Sequence, residues 1–419
     1  MCEAIIHHEC CAPTAVPTAD DDTEEALATS LPEDDSDSEE VPEEQDKVAG
    51  DEWHMKDDVK VRIDSITKGL CDTCDDWVNH VTLARESREA YRNDRDTYPD
   101  EGAHFFSADM QKVIMLPRLP GVKTCVFTRR IIAFHETFAP LVPDKKIRAS
   151  WKDEGKILPA TKPIGIVWHE AIQGRDDEDV SSTFIKVLQD DRYRDATSVT
   201  QWADNCTGQM KNWTFYCAVV AEVNRISIPL ITIKYFEKGH TFMSADSFHA
   251  SVERNMRQKK KLMDFDDFVG CVSKSGKAVE MKPCEFLDLP KKLMSKTSTN
   301  SATITYPLLT DVSVVQFRKG STKMFWKTRH TQEEFQESEF LVKKYRLEVM
   351  KKSPYPSKGD ARGVNAEKKR DIIQKIGPVM LSSRLKFWRE LPESESAKDL
   401  TLNYDKVDNG TKKKSRGKK

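Results

Sequence analysis

Trp202-Ala203-Asp204-Asn205-Cys206-Thr207-Gly208-Gln209-Met210-Lys211-Asn212 follows a short β-prone run, Ser198 to Ala203, and leads into an apolar helical stretch that begins at Trp213. An acid, Asp204, is thereby delivered at a strand end beside the polar entry of a helix. Open α/β sheets bind ligands at the carboxyl ends of their strands, and helix N-termini favour anions, so the block suits phosphate and metal chemistry. Its weight depends on whether other acids arrive at matching places.

Three β-prone runs lie upstream. Ala103 to Ala108 lead into Asp109, and Lys112 to Leu116 continue the extended run until Pro117. Cys125 to His135 is expected as a second strand and Ile164 to Glu170 as a third. The acidic run Asp176 to Asp179 opens a helix expected over Val180 to Gln189, where acids in the first turn complement the macrodipole. Downstream come a helix from about Met210 to Val223, a buried apolar strand within Ile226 to Phe236, a turn at Gly239-His240-Thr241, and a helix from Ser244 to Lys261 that ends strongly basic. The order is three strands, helix, strand, helix, strand, helix. The first three strands are close enough for antiparallel pairing, and the later ones, joined through helices, can pair in parallel. By comparison with known folds, this is the element order of an α/β, ribonuclease-H-like fold, a mixed five-stranded sheet flanked by helices.

The 419 residues, 38% hydrophobic and 32% charged, provide for two or three domains and a sizeable core. Residues 1–50 carry 16 Asp/Glu against one Lys and are expected to be a disordered acidic leader, whereas the remainder has 65 Lys/Arg against 53 Asp/Glu. An acidic leader on a basic body is either a solvated tail or a competitor of nucleic acid for that body. Residues 51–100 hold a Cys-x-x-Cys segment and a long helix, 101–262 the ribonuclease-H-like core, 263–350 a smaller C-terminal α+β region with a hairpin over Val312 to Trp326, 351–400 a helical region, and 401–419 a basic disordered tail. No apolar run approaches the roughly 20 residues that cross a bilayer, so no membrane partner is expected. Without a basic n-region followed by an apolar h-region, secretion is not expected, and the ten cysteines are read as reduced thiols.

The acids fall at consistent places on this order. Asp109 ends the first strand and Asp204 the fourth. Asp246 opens the helix after the fifth, and Glu253, two helical turns on, shares its face. Asp109 and Asp204 with either Asp246 or Glu253 would make a three-carboxylate cluster suited to two Mg²⁺ or Mn²⁺ ions, which activate a water or a 3′-hydroxyl in phosphodiester chemistry. Glu170 is a further metal or base candidate. His240 is either a residue that orients water or phosphate or simply part of a turn, and Lys211 and Arg175, near helix starts, are either phosphate contacts or solvated surface. Cys71 and Cys74, with His80 beyond them, make a zinc knuckle without a clear fourth ligand, or else ordinary thiols and a helical histidine.

From Asp109 to Glu253 the chain resembles a largely uncharacterised domain family of animal, transposon-derived proteins. The resemblance rests on Asp109; on Trp168, Glu170, Gly174 and Arg175; on Asp204, Cys206, Gly208, Gln209, Lys211 and Asn212; and on Gly239, His240, Thr241 and Asp246, and with its flanks it covers roughly residues 65–395. It implies a DDE-type transposase or integrase core, with Asp109, Asp204 and Asp246 as metal-holding catalytic residues and Glu253 as the alternative third acid. Gln209, Lys211, Asn212, Arg175 and His240 are the expected phosphate contacts. The basic helix end, Arg254, Arg257, Lys259, Lys260 and Lys261, and the C-terminal tail are expected to follow the DNA backbone. DNA is the expected partner, with a nuclear location and a homo-oligomeric assembly. One departure is Met210, which stands where a polar residue is expected. The competing expectations are a domesticated, non-catalytic DNA- or chromatin-binding protein that keeps the fold, and a protein-interaction scaffold.

Overall fold

The computed structural model describes residues 72–206, 209–289 and 307–400, with side chains from Asp75 onward. The chain divides into two units, Met1–Thr82 and Leu83–Lys419. The described part of the first is the opening of helix α1 (Asp72–Asp96).

The second unit is α/β. Its elements run β1 (Ala103–Met110), β2 (Ile114–Leu116), α2 (Lys123–Phe127), β3 (Ile131–Pro140), α3 (Lys145–Asp153), β4 (Ile164–His169), α4 (Asp177–Val187), β5 (Ser198–Ala203), α5 (Trp213–Arg225), β6 (Leu230–Tyr235), α6 (Ser244–Lys259), α7 (Phe265–Ser273) and β7 (Lys277–Glu280). These are followed by β8 (Val314–Arg318), β9 (Met324–Lys327), β10 (Gln336–Ser338), α8 (Lys343–Lys351), α9 (Ala366–Asp371) and α10 (Leu385–Glu390). The strands form one mixed ten-stranded sheet in the order β10-β9-β8-β6-β5-β1-β3-β4-β7, with β2 on β3. β1, β3 and β4 pair antiparallel, while β5 pairs parallel with both β1 and β6.

The centre of the sheet is covered on both faces. Alternation along β3 sends Ile132, Phe134 and Phe138 into one core with Trp168, Phe184 and Phe215 of β4, α4 and α5. Ile131 and Ala133 go to the other, with Phe248 of α6 and Phe268 and Val272 of α7. A strand buried on both sides is a continuous apolar run, which is why β4 reads Ile-Gly-Ile-Val-Trp-His with every residue buried. From Leu83 onward, α1 packs on the sheet through Tyr91, whose ring lies 5.3 Å from Trp202 and 5.1 Å from Phe236. Asp94 accepts from Trp202 Nε1 at 2.8 Å and pairs with Lys234 at 2.7 Å.

Several expectations shift. The sheet has ten strands rather than five. The Val312 to Trp326 hairpin forms as β8 and β9, but β8 pairs antiparallel with β6, so the region expected over 263–350 extends the sheet instead of standing apart. Cys125 lies in α2, and the strand expected from Cys125 to His135 runs from Ile131 to Pro140. The short helix takes the first part of that apolar run, and pairing with β1 and β4 carries the strand on through the buried polar His135-Glu136-Thr137.

Candidate metal centre

In the β1–β5 pairing, Ala108 stands opposite Ala203. Asp109 and Asp204 are the next residues on two parallel neighbours, so they arrive side by side at the carboxyl end of the sheet. The third acid comes from α6. Its first turn is anchored to β1 by a hydrogen bond from Ala245 N to Ser107 Oγ (2.9 Å), and Asp246 caps that turn by accepting from Met243 N at 2.9 Å. One turn further, His249 faces the same place. Ligand atoms of Asp109, Asp246 and His249 all lie within 4.8 Å of one another, and His249 Nδ1 is 3.9 Å from Asp109 Oδ2. Metal–ligand bonds of about 2.0–2.2 Å would close around that spacing with small side-chain shifts.

Electrostatics mark the place. Burial, followed by the charges of Asp246 and Asp204, pushes the Asp109 carboxyl up to about 7. Burial and the Asp204 charge also raise Asp246. Burial and the charge of Asp109 hold Glu136 on β3 well above the usual carboxylate range, and neither of its buried oxygens meets a hydrogen-bond donor. Burial lowers His249 to about 4, which leaves its ring neutral, as a ligand must be. Gathering like charges out of water is unfavourable unless a counter-charge joins them, and a divalent cation meets that need with oxygen donors it prefers.

The Asp204 carboxylate is held by local contacts. Asp204 Oδ1 accepts from Asn205 N at 2.7 Å and from Thr241 Oγ1 at 2.6 Å, so the Gly239-His240-Thr241 turn clamps the acid. Gly239 adopts φ +79°, a conformation that glycine reaches without steric cost. Gln209 donates to the Asp109 carboxylate and so bridges the two strand ends.

Other expected site residues lie elsewhere. Glu253 is exposed, two turns or roughly 10 Å along α6 from Asp246, so α6 brings Asp246 and not Glu253 to the cluster. Glu170 points away into a buried ion pair with Lys368, accepts from Ile132 N at 3.2 Å, and shares Lys368 with Asp399 at 2.8 Å. Lys211 is fully buried rather than poised at a phosphate. Its Nζ donates to Asn205 Oδ1 at 2.7 Å and lies 4.7 Å from the Tyr235 ring centroid, and burial lowers it to about 8. Asn212 caps α5 by accepting from Phe215 N at 2.8 Å and donates to Gln209 O at 2.8 Å. Met210 is buried in the core, its carbonyl accepting from Tyr235 OH at 2.7 Å, so the residue type there does not bear on the acids. His240 is half-buried in its turn, with its backbone N–H donating to Glu237 O at 3.1 Å.

Arg175 is exposed just before α4, where its charge partly offsets the rise at Glu136. Arg254, Arg257, Lys260 and Lys261 are exposed toward the far end of α6 and just beyond it, and Lys259 is tied to Asp267 at 2.9 Å. Cys71 and the Cys74 side chain lie outside the described residues, so the zinc expectation does too; His80 lies on α1.

His249 was not singled out from sequence. The signal available was its position three residues after Asp246, which puts both on one helical face. No family model matches the sequence, and comparison with curated proteins and with solved structures returns no match.

Two outcomes follow from this arrangement. With a folded-state value of about 7 against an ordinary 3.8, the folded protein holds more protons at Asp109 than the unfolded chain does, so this group's contribution to stability falls as pH rises from about 4 to about 7. Chemical denaturation without divalent ions should therefore show Asp109→Asn gaining on wild type across that window and levelling off above it; a pH-independent difference would contradict the assignment. Removal of one partner from the buried pair by Lys368→Met should cost about 3–5 kcal/mol, partly recovered by adding Glu170→Gln. A loss under about 1 kcal/mol would mean that the pair is not the buried contact described.

Proposed function

We propose that the chain carries a metal-dependent, DDE-type core that cleaves DNA phosphodiesters and transfers strands, on a ribonuclease-H-like version of the α/β sheet. The observation that carries this reading is the convergence of Asp109, Asp204 and Asp246 from β1, β5 and α6 on one end of the sheet. The order β4-β3-β1-β5-β6 supports it as well, with three antiparallel strands followed by two parallel ones entered through helices. So does the resemblance to transposon-derived domains that runs through the same acids.

Asp109, Asp204 and Asp246 would hold Mg²⁺ or Mn²⁺, which when bound supplies Lewis-acid stabilisation of the scissile phosphate and an activated attacking oxygen. The protein's own part is positioning. Thr241 and the Asn205 amide hold the Asp204 carboxylate, and Gln209 holds Asp109. The Lys211 ammonium beneath Asn205 keeps the loop in shape. The exposed Arg254, Arg257, Lys260 and Lys261, on the same helix as Asp246 or just past its end, offer charge to a DNA backbone leading to the acids. No described helix is long and apolar enough to cross a membrane. DNA as partner, a nuclear location and a homo-oligomeric assembly belong to the same proposal.

The test is cleavage of end-labelled DNA in Mn²⁺ by wild type and Asp204→Asn. Loss of more than about 100-fold in the variant, with unchanged circular dichroism, is expected for a metal ligand. Equal activity in the two, or none in wild type while DNA is still bound in a salt-sensitive manner, would reject the catalytic reading in favour of a DNA-binding protein that keeps the fold.

A further inference from the structure

We propose that His249 supplies a nitrogen ligand, through Nδ1, to the cation held by Asp109 and Asp246, and that this nitrogen biases the site toward Mn²⁺ over Mg²⁺. The inference rests on the metal-centre reading above and deepens it, since three carboxylates alone would not discriminate in this way. Imidazole suits first-row transition ions, whereas Mg²⁺ takes oxygen donors and water.

The geometry that carries the proposal is a chain of side chains behind His249. Gln111 Oε1 lies 2.7 Å from His135 Nδ1, His135 Nε2 lies 3.2 Å from Thr137 Oγ1, and Thr137 Oγ1 lies 2.9 Å from His249 Nε2. With the His135 proton on Nδ1, toward Gln111 Oε1, its Nε2 presents a lone pair. The Thr137 hydroxyl donates to that lone pair, and its oxygen accepts from His249 Nε2–H. A cation at Nδ1 requires this arrangement, with the His249 proton on Nε2 and the lone pair on Nδ1, the atom 3.9 Å from Asp109 Oδ2; without the cation the ring hydrogen-bonds the Asp109 backbone. Metal-binding histidines characteristically have their second nitrogen held in this manner, which fixes both tautomer and ring plane.

The strands build this relay deliberately close to the acids. Thr137 is the cross-strand partner of Asp109, so the two side chains share a face of the sheet, and His135 is two residues along on that face. His135 is buried against Phe248 and Phe268, with ring centroids 5.4 and 6.2 Å away. Its place is made by Gly165, opposite Thr137 on β4, where a Cβ would stand 2.5 Å from His135 Nε2. A packed histidine whose polar atoms served only structure would not need to end on a second histidine whose remaining nitrogen faces two carboxylates.

The experiment uses full-length protein with Mn²⁺ as the probe, read by calorimetry and by electron spin-echo modulation of bound Mn²⁺. Wild type is expected to show ¹⁴N modulation that changes when histidine alone is ¹⁵N-labelled and disappears in His249→Gln. The Mn²⁺ affinity should fall about 10- to 100-fold in His249→Gln while Mg²⁺ affinity changes by less than about 3-fold. Thr137→Val, which cuts the relay without touching the ligand, should lower Mn²⁺ affinity by a smaller factor and keep the nitrogen signal. Mn²⁺ bound by wild type with no histidine nitrogen signal, or bound equally by His249→Gln, overturns the proposal and leaves the carboxylate site standing. Absence of Mn²⁺ binding by wild type overturns both. Should His249→Gln fail to fold, the labelled wild-type spectrum alone decides.

Discussion

The parallel pairing of β1 with β5 is the constraint on which the rest of the site depends. Ala108 opposite Ala203 fixes a register in which Asp109 and Asp204 leave the sheet together. A slip of one residue would turn one of the two acids to the opposite face, because side chains alternate along a strand. The register is held by packing and pairing: Tyr91 of α1 and Phe236, just past β6, bear on Trp202 of β5, and the antiparallel β3 holds β1 from its other side. Asp109 is therefore placed by a buried strand, Asp204 by the residue that follows one, and Asp246 by the first turn of α6. Arrangement on rigid elements of this kind keeps ligand geometry from drifting.

Concentrating charge in this position opposes folding, and the structure offsets it locally. Asp204 is met by a hydroxyl and a backbone amide, Asp109 by Gln209, and Asp246 by the amide of Met243. Glu136 has no such donor on either oxygen, and burial and the charge of Asp109 hold it well above the usual carboxylate range. Away from the site the same problem is solved by direct pairing: Glu170 and Asp399 share Lys368, and Asp264 and Asp267 share Arg384. At the end of β1 and β5 the acids meet one another and the His249 imidazole, and the cations of the chain that bear on them, Arg88 on Asp246 and Arg175 on Glu136, offset their rise only in part.

Much of the frame was legible from one sequence. The strands around Asp109 and Asp204 and the helix that begins at Ser244 follow from hydrophobic periodicity and from turn residues, which act over a few positions. The hairpin of β8 and β9 was legible for the same reason. Its attachment to β6 was not, because pairing between distant strands leaves no local mark. Residues whose roles turn on burial were misread most often. Lys211, Asn212 and Glu170 look like a polar site in sequence, yet they serve as a buried loop support, a helix cap and half of a buried ion pair. Met210 looked like an interruption of a polar run and is a core residue.

By itself, then, the sequence determined which residue types stand at strand ends and helix starts, and so named Asp109, Asp204 and Asp246 as acids at corresponding places. Only the tertiary structure decided that α6 brings Asp246 and not Glu253 to them. It also decided that His249 joins them, and that Gln111, His135 and Thr137 line up behind its ring. The physical reason is range. Periodicity, capping and turn chemistry act between residues a few positions apart. Which side chain meets which across more than a hundred residues is set by sheet register and by the face each helix buries, and neither exists until the chain has closed on itself.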